Sequence, residues 1–272
     1  MPDLKVEISS LGGIYKRYAK PLQKLRIYRF GDFLFHIPFR YVDYSLISKI
    51  GDLQEGEIVT IRGKVVEIKN NYTRRFRTLQ KAKVEDSTGV IDVIWFNQPY
   101  LVKNIKKGDV ISLSGKVEKN INKLIFKSPD YEAGEGESIH TGRLVPIYPE
   151  TRGISSKWLR KQIYLLLKQK DSLSDFLPEK IKKTNGLLDL SESIQKIHFP
   201  KNIEETVTAR KRLSFDEFLL LQLASLQRKN EWKENLKGIS FEIEKHKKKI
   251  DKLIKQLPFE LTNSQKNALK KQ

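Results

Sequence analysis

The 272-residue sequence contains no cysteine, a single methionine and only four histidines. Without thiols it can form neither disulfides nor thiolate metal centres. His36, His140, His198 and His246 stand far apart, so no zinc cluster and no metal is expected. Long apolar runs are missing too. The richest, FLLLQLASL from Phe218, falls well short of the roughly 20 residues a spanning helix needs. The opening MPDLKVEISS lacks the apolar segment of a secretory signal. A soluble, cytoplasmic chain is expected. An anionic membrane surface is a weak partner, because the basic residues spread over many segments instead of one amphipathic stretch. Acidic charge is scarce beside basic: 33 Asp and Glu against 52 Lys and Arg give a formal net charge of +19. That excess is a statement about partners, and nucleic acid comes first among them.

What is present is organised by a change of hydrophobic period. The length allows two or three packed units. Residues 1–50 carry helical spacing in Tyr15, Tyr18, Leu22 and Leu25, followed by a second apolar cluster from Phe30 to Ile37 that Pro38 stops. Gly12 and Gly13 ahead of KRYAKPLQKLRI have some likeness to a helix-hairpin-helix, whose turn glycines let backbone amides approach phosphate. Tyr15 and Arg26 stand where such hairpins carry glycine, and a plain packing hairpin is the bland reading. From Ile58 the period drops from 3.6 to 2. IVTIRGKVVEI, RFRTLQKAKVED, GVIDVIWF, DVISLSGKVEK and KLIFKSPDYE read as five strands, with a helix-like patch, QPYLVKNIKK, between the third and fourth. An α+β chain with a five-stranded OB-fold barrel over 51–135 is the expected architecture.

Two constellations on that barrel point to chemistry. Between Thr60 and Glu85 eight basic residues face two acidic ones, a local excess of six positive charges. Arg74, Arg75 and Arg77 on a hairpin, with Lys81 behind them, are the candidate phosphate contacts. The bland alternative is a solvated basic turn. Phe96 and Tyr100 close the third strand. Because Trp95 and Phe96 point to opposite faces, one of the pair must leave the core. An exposed aromatic beside cations is a platform on which bases stack, at about 1–3 kcal/mol each. GDVISLSGKV at Gly108 is a decoy: its two glycines are too far apart for a phosphate loop, and Val117 replaces the metal-binding hydroxyl. No catalytic residue is assigned.

Beyond the barrel, YEAGEGES reads as a linker, and Ser155 or Ser156 caps a helix carrying Trp158, Ile163, Leu166 and Leu167. A later helix starting near Ser214 carries Phe215, Phe218, Leu219, Gln222, Leu223 and Leu226 as an apolar stripe expected to be core.

Six segments, GDFLFHIPFRYVDYS, DSTGVIDVIWFNQPYL, RLVPIYPETRGIS, SIQKIHFP, RKRLSFDEFLLLQL and PFELTNSQ, follow one another in an order that closely resembles the RecG family of bacterial replication-fork helicases. The resemblance implies an N-terminal helical segment over 1–50, an OB-fold wedge over 51–135, a helical linker region over 136–257 and the start of a motor domain over 258–272. It implies branched DNA, forks and Holliday junctions, as the partner, in recombination and repair, with the chain acting as a monomer. The family's branch-capping aromatics match Phe96 and Tyr100. Gln265 stands in the place of the family's adenine-reading glutamine. ATP and Mg2+ are implied for the intact family member, while this chain ends before the phosphate loop and is expected to hold no cofactor and to be inactive alone, either as a truncated product or as a fragment. Three alternatives remain open: a free-standing OB protein that binds single strands, an RNA-binding relative, and a C-terminal half that serves as a protein-interaction platform.

Overall fold

In the computed structural model, which describes residues 4–10, 14–72, 78–121, 123–134, 138–168, 173–235 and 243–270, the period-two stretch closes on itself. Ahead of it, helix α1 (Ile14–Lys24) and the short α2 (Phe30–Leu34) lead into strand β1 (Arg40–Asp43). Then follow β2 (Ile58–Tyr72), β3 (Thr78–Glu85), β4 (Val90–Phe96), the one-turn helix α3 (Leu101–Asn104), β5 (Val110–Asn120), β6 (Lys123–Lys127) and β7 (Asp130–Ala133). Antiparallel pairs β2–β3, β3–β4, β5–β6 and β2–β5, with β4 and β6 parallel, join five strands into a ring. This is the OB arrangement expected, with α3 where the helix-like patch lies between the third and fourth strands.

One residue lets β2 serve two neighbours. It pairs with β5 from Ile58 to Lys64 and with β3 from Lys64 to Tyr72, turning at Gly63. A Cβ there would come within 2.6 Å of both the Glu85 carbonyl oxygen and Val84 Cγ1, so only glycine fits. The fifth expected run is divided. Ser128 takes a φ of +50° and Pro129 has no N–H for the ladder, so β6 stops and the chain continues along β5 as β7. Val59, Ile61, Val84, Val93, Trp95, Leu113 and Phe126 fill the ring.

A second core lies under the helices. β8 (Leu144–Ile147) pairs with β1 residue for residue, from Arg40 opposite Ile147 to Asp43 opposite Leu144. That two-stranded sheet was not expected, because four residues are too few for alternation to register. It is followed by α4 (Ser156–Leu167), α5 (Glu179–Asn185), α6 (Leu190–His198), α7 (Ile203–Asn235), α8 (Ile243–Lys255) and α9 (Asn263–Lys270). Ser155 caps α4 by accepting the Trp158 backbone N–H at 3.3 Å. Leu22, Phe30, Phe33, Tyr148, Leu159, Ile163 and Ile194 form the core.

The chain divides into two compact units, Met1–Glu217 and Phe218–Gln272. α7 begins at Ile203, well before the start near Ser214 that the sequence indicated. Its apolar stripe also departs from expectation: Phe218, Leu223 and Leu226 are 67%, 51% and 54% exposed, and only Phe215 and Leu219 are half-buried. Helical periodicity marks a face suited to burial without naming what covers it, and among the described residues this face stays open.

Candidate nucleic-acid interface

Residues directly opposite one another on paired strands point to the same face of a sheet. On the outside of the ring this produces rows running across β2, β3 and β4. Asn71, Leu79 and Phe96 form one row, Lys69, Lys81 and Ile94 the next, and Glu67, Lys83 and Asp92 a third. On the inside the matching rows are Ile68, Ala82 and Val93, then Asn70, Gln80 and Trp95. The adjacent aromatics divide as the pleat demands: Trp95 is 1% exposed and Phe96 41%.

Tyr100, 52% exposed, sits four residues beyond Phe96 at the start of α3. The turn between them is held by a buried amide. Gln80, fully buried, accepts the Gln98 backbone N–H on Oε1 at 2.8 Å and donates from Nε2 to Asn70 Oδ1 at 3.0 Å. Tyr100 donates its hydroxyl to Gln98 Oε1 at 2.8 Å, and the Asn97 N–H bonds the Thr78 carbonyl with Asn97 at a φ of +55°. Burial of part of its ring raises the Tyr100 phenol above its ordinary pKa.

Trp95 is fixed from below. Its indole N–H donates to the Pro129 carbonyl at 3.0 Å, and its ring meets Tyr131 edge-on at 6.1 Å. Lys157 Nζ lies 3.7 Å from the centre of the Tyr131 ring and donates to the Tyr131 carbonyl at 2.8 Å. Burial pulls the Lys157 ammonium down to a pKa of about 8 in spite of Asp130 and Glu132 nearby.

The middle of these outer rows is cationic, and the third sets Lys83 between two carboxylates, Glu67 and Asp92. Lys69 pairs with Glu67 at 2.8 Å, whereas the exposed Lys81 and Lys83 have no ion pair among the described residues. Lys69, Lys81 and Lys83 line a groove on this face together with two carboxylates, Glu67 and Asp92, and the neutral Asn71, Ile94 and Asn120. The fold therefore brings Phe96 and Lys81 onto one surface, with Tyr100 at its end. Arg74, Arg75 and Arg77, like Gly12 and Gly13, lie outside the described residues. Tyr72 and Thr78, the described residues that flank 73–77, pair one step beyond Asn71 and Leu79. Sequence reasoning passed over Gln80, although a glutamine at an inward position of the alternating TLQKAKVE was its signal. It also passed over Tyr72 and Ile121, which are 77% and 88% exposed at strand ends.

Gln265 is engaged in a capping box at the start of α9. Its Oε1 accepts the Thr262 N–H at 2.9 Å, while Thr262 Oγ1 accepts the Gln265 N–H at 3.4 Å. No group of His, Asp and Glu suited to a metal occurs among the described residues, and no helix among them is long and apolar enough to cross a membrane.

A closed ring of this strand order with aromatics and lysines on its outer face defines an OB-fold protein. Residues 7–168 match the family described as the RecG wedge domain, and the chain belongs to that family. It is 34% identical to the ATP-dependent DNA helicase RecG of Thermotoga maritima over 271 residues, 98% of this chain and 34% of that protein. With the Bacillus subtilis protein of the same name it shares 31% identity over 98% of this chain and 38% of the relative. A solved structure of RecG bound to a three-way DNA junction superposes with a TM-score of 0.67 at 32% identity, covering 98% of this chain and 37% of that one. The chain thus spans about a third of the length of the relatives it matches.

Proposed function

We propose that this chain is the branch-recognising part of a RecG-type, ATP-dependent DNA helicase acting on forks and Holliday junctions in recombination and repair. The observation that carries the reading is the pair Phe96 and Tyr100, both exposed and held in one short turn by Gln80 and Gln98, beside Lys81 and Lys83, which have no ion pair among the described residues. In this reading the two rings stack on the first unpaired bases of the parting strands and replace the stacking lost when the pair opens. Arg74, Arg75, Arg77 and Lys81 hold phosphates, so selection follows branch shape rather than sequence. ATP binding and hydrolysis belong to the whole helicase. Here Gln265 spends its side-chain oxygen on the helix cap, the sequence contains no phosphate loop, and the chain alone does not hydrolyse ATP.

Fluorescence anisotropy with a three-way fork, a linear duplex and a single strand of matched length at fixed salt tests this. The fork binds best, and the double variant Phe96→Ala/Tyr100→Ala loses fork affinity by about 1–3 kcal/mol per stacked base while duplex affinity holds. Equal losses on fork and duplex sink the wedge reading. Preference for the single strand supports instead a free-standing single-strand-binding OB protein.

A further inference from the structure

We propose that the solvent face of α1 is a second DNA site, on a different element and core from the aromatic turn, that grips the phosphates of a duplex arm. The segment from Ile8 to Gly31 contains six cations, Lys16, Arg17, Lys20, Lys24, Arg26 and Arg29, and no acidic residue. The helix divides cleanly. Tyr15, Tyr18, Ala19, Leu22 and Leu25 pack into the helical core, where Tyr15 donates to Gln162 at 3.0 Å and Tyr18 meets the Trp158 ring at 4.8 Å. Lys16, Arg17, Lys20 and Lys24 fall on the opposite side and are all exposed. At 100° per residue these four occupy an arc of about 100°.

None of the four has an ion pair among the described residues, and the flanking carboxylates are already engaged. Asp32 accepts the backbone N–H groups of Tyr28 and Arg29 at 2.8 Å each, and Glu7 accepts the Ser9 hydroxyl at 3.3 Å. Like charges one turn apart destabilise a helix, so Lys16 against Lys20 and Lys20 against Lys24 are unfavourable in the free protein. A polyanion relieves that repulsion. Three lysines at four-residue steps span about 12 Å, close to the width of the B-form major groove, about 12 Å, which places cations near phosphates on both sides of a groove. Because α1 belongs to the helical core and the aromatics to the ring, this contact carries no branch selectivity. It adds affinity for any duplex arm.

The test is the salt dependence of binding to a fork and to a duplex for the triple variant Lys16→Gln/Lys20→Gln/Lys24→Gln. The slope of log K against log salt should shrink by about 2.7, at about 0.9 per lost contact, with a loss on the order of tenfold on fork and duplex alike. The fork-to-duplex ratio stays unchanged. Lys180→Gln/Lys183→Gln/Lys201→Gln, exposed lysines elsewhere in the same unit, serves as the charge-matched control and should leave the slope nearly in place. An unchanged slope in the α1 variant overturns the proposal, as does an equal drop in the control. Binding to phosphatidylglycerol vesicles that the α1 variant loses while its DNA slope stays put also overturns it, in favour of a lipid surface. Should the triple variant fail to fold, Lys20→Gln alone reads a slope change of about 0.9. Failure here leaves the aromatic turn untouched, since Phe96→Ala/Tyr100→Ala is read on the fork-to-duplex ratio instead.

Discussion

Inside the ring the buried polar side chains are Thr60, Gln80 and Ser114, all neutral, whereas the helical half buries Arg160, Lys182, His198, Arg212 and Asp216. The partners differ as well. Thr60 and Ser114 bond each other across adjacent strands at 2.7 Å, but His198 reaches the Leu34 carbonyl, 164 residues away, and Arg160 holds the Pro146 carbonyl and His140. A ring of strands fixes its own register through its ladders, so its core can be almost wholly apolar. Helices meeting on apolar faces have no ladder. Here directional bonds from buried charges and imidazoles set how they sit against one another.

The largest test of that contrast is Arg212. Its guanidinium, fully buried, binds Asp175 at 2.7 Å, Asp216 at 2.9 Å and the Leu188 carbonyl at 2.6 Å, tying α7 to the segments on both sides of α5. Arg212→Ala leaves Asp216 without its cation and Asp175 with only Lys182 at 3.4 Å and the Leu177 and Leu190 N–H groups, and should cost about 3–5 kcal/mol. Ile61→Val in the ring should cost only about 0.5–1.5 kcal/mol. Urea unfolding of both variants measures the difference. Equal costs would erase the distinction between the two cores.

Acid should separate the halves next. His198 donates from Nε2 to the Leu34 carbonyl and accepts the Tyr148 hydroxyl on Nδ1 at 2.9 Å, so the buried ring is held neutral, and burial lowers its pKa to about 4. Because the folded pKa lies below the unfolded value of about 6.5, the unfolded chain binds the proton first as pH falls. Stability is therefore full above about 6.5 and is lost between there and about 4, on the order of 3 kcal/mol from this residue. His140, lowered to about 2 by burial and by Arg160, adds a loss of the same sign. No histidine lies in the ring strands. Unfolding free energy followed from pH 7 to 4 should fall, and less steeply in His198→Gln. An identical slope in that variant would remove His198 from the account.

These same facts explain how much could be read in advance. The ring was legible because neighbours in its ladders are mostly close in sequence and alternation writes their faces directly, down to Trp95 inward and Phe96 outward. The β1–β8 pair, the Arg212 cluster and the His198 bridge were not, because each joins residues that no local pattern connects. The stripe from Phe218 to Leu226 shows the converse limit: its period was read correctly, yet a period carries no information about a covering partner. At the candidate interface, the outward placement of Phe96 could be read from alternation and the sequence proposed Tyr100 and Lys81 beside it, but the bonds that orient the aromatic turn could not be read.

A smaller loss than that of Arg212→Ala is expected at Gln80, a long polar side chain that the ring buries. Gln80→Met keeps the volume and removes both bonds, leaving the Gln98 N–H and Asn70 Oδ1 without their partner. Because those groups lie near solvent, the loss of stability should be about 1–2 kcal/mol, well below that of Arg212→Ala. Its effect on binding should be selective: fork affinity falls toward that of Phe96→Ala/Tyr100→Ala while duplex affinity holds, since the aromatic turn loses its anchor and the lysines do not move. Adding Gln80→Met to the double aromatic variant should then change fork binding little, because an anchor matters only while there are rings for it to hold. Additive losses would mean that Gln80 supports the ring as a whole and that the turn finds its place without it.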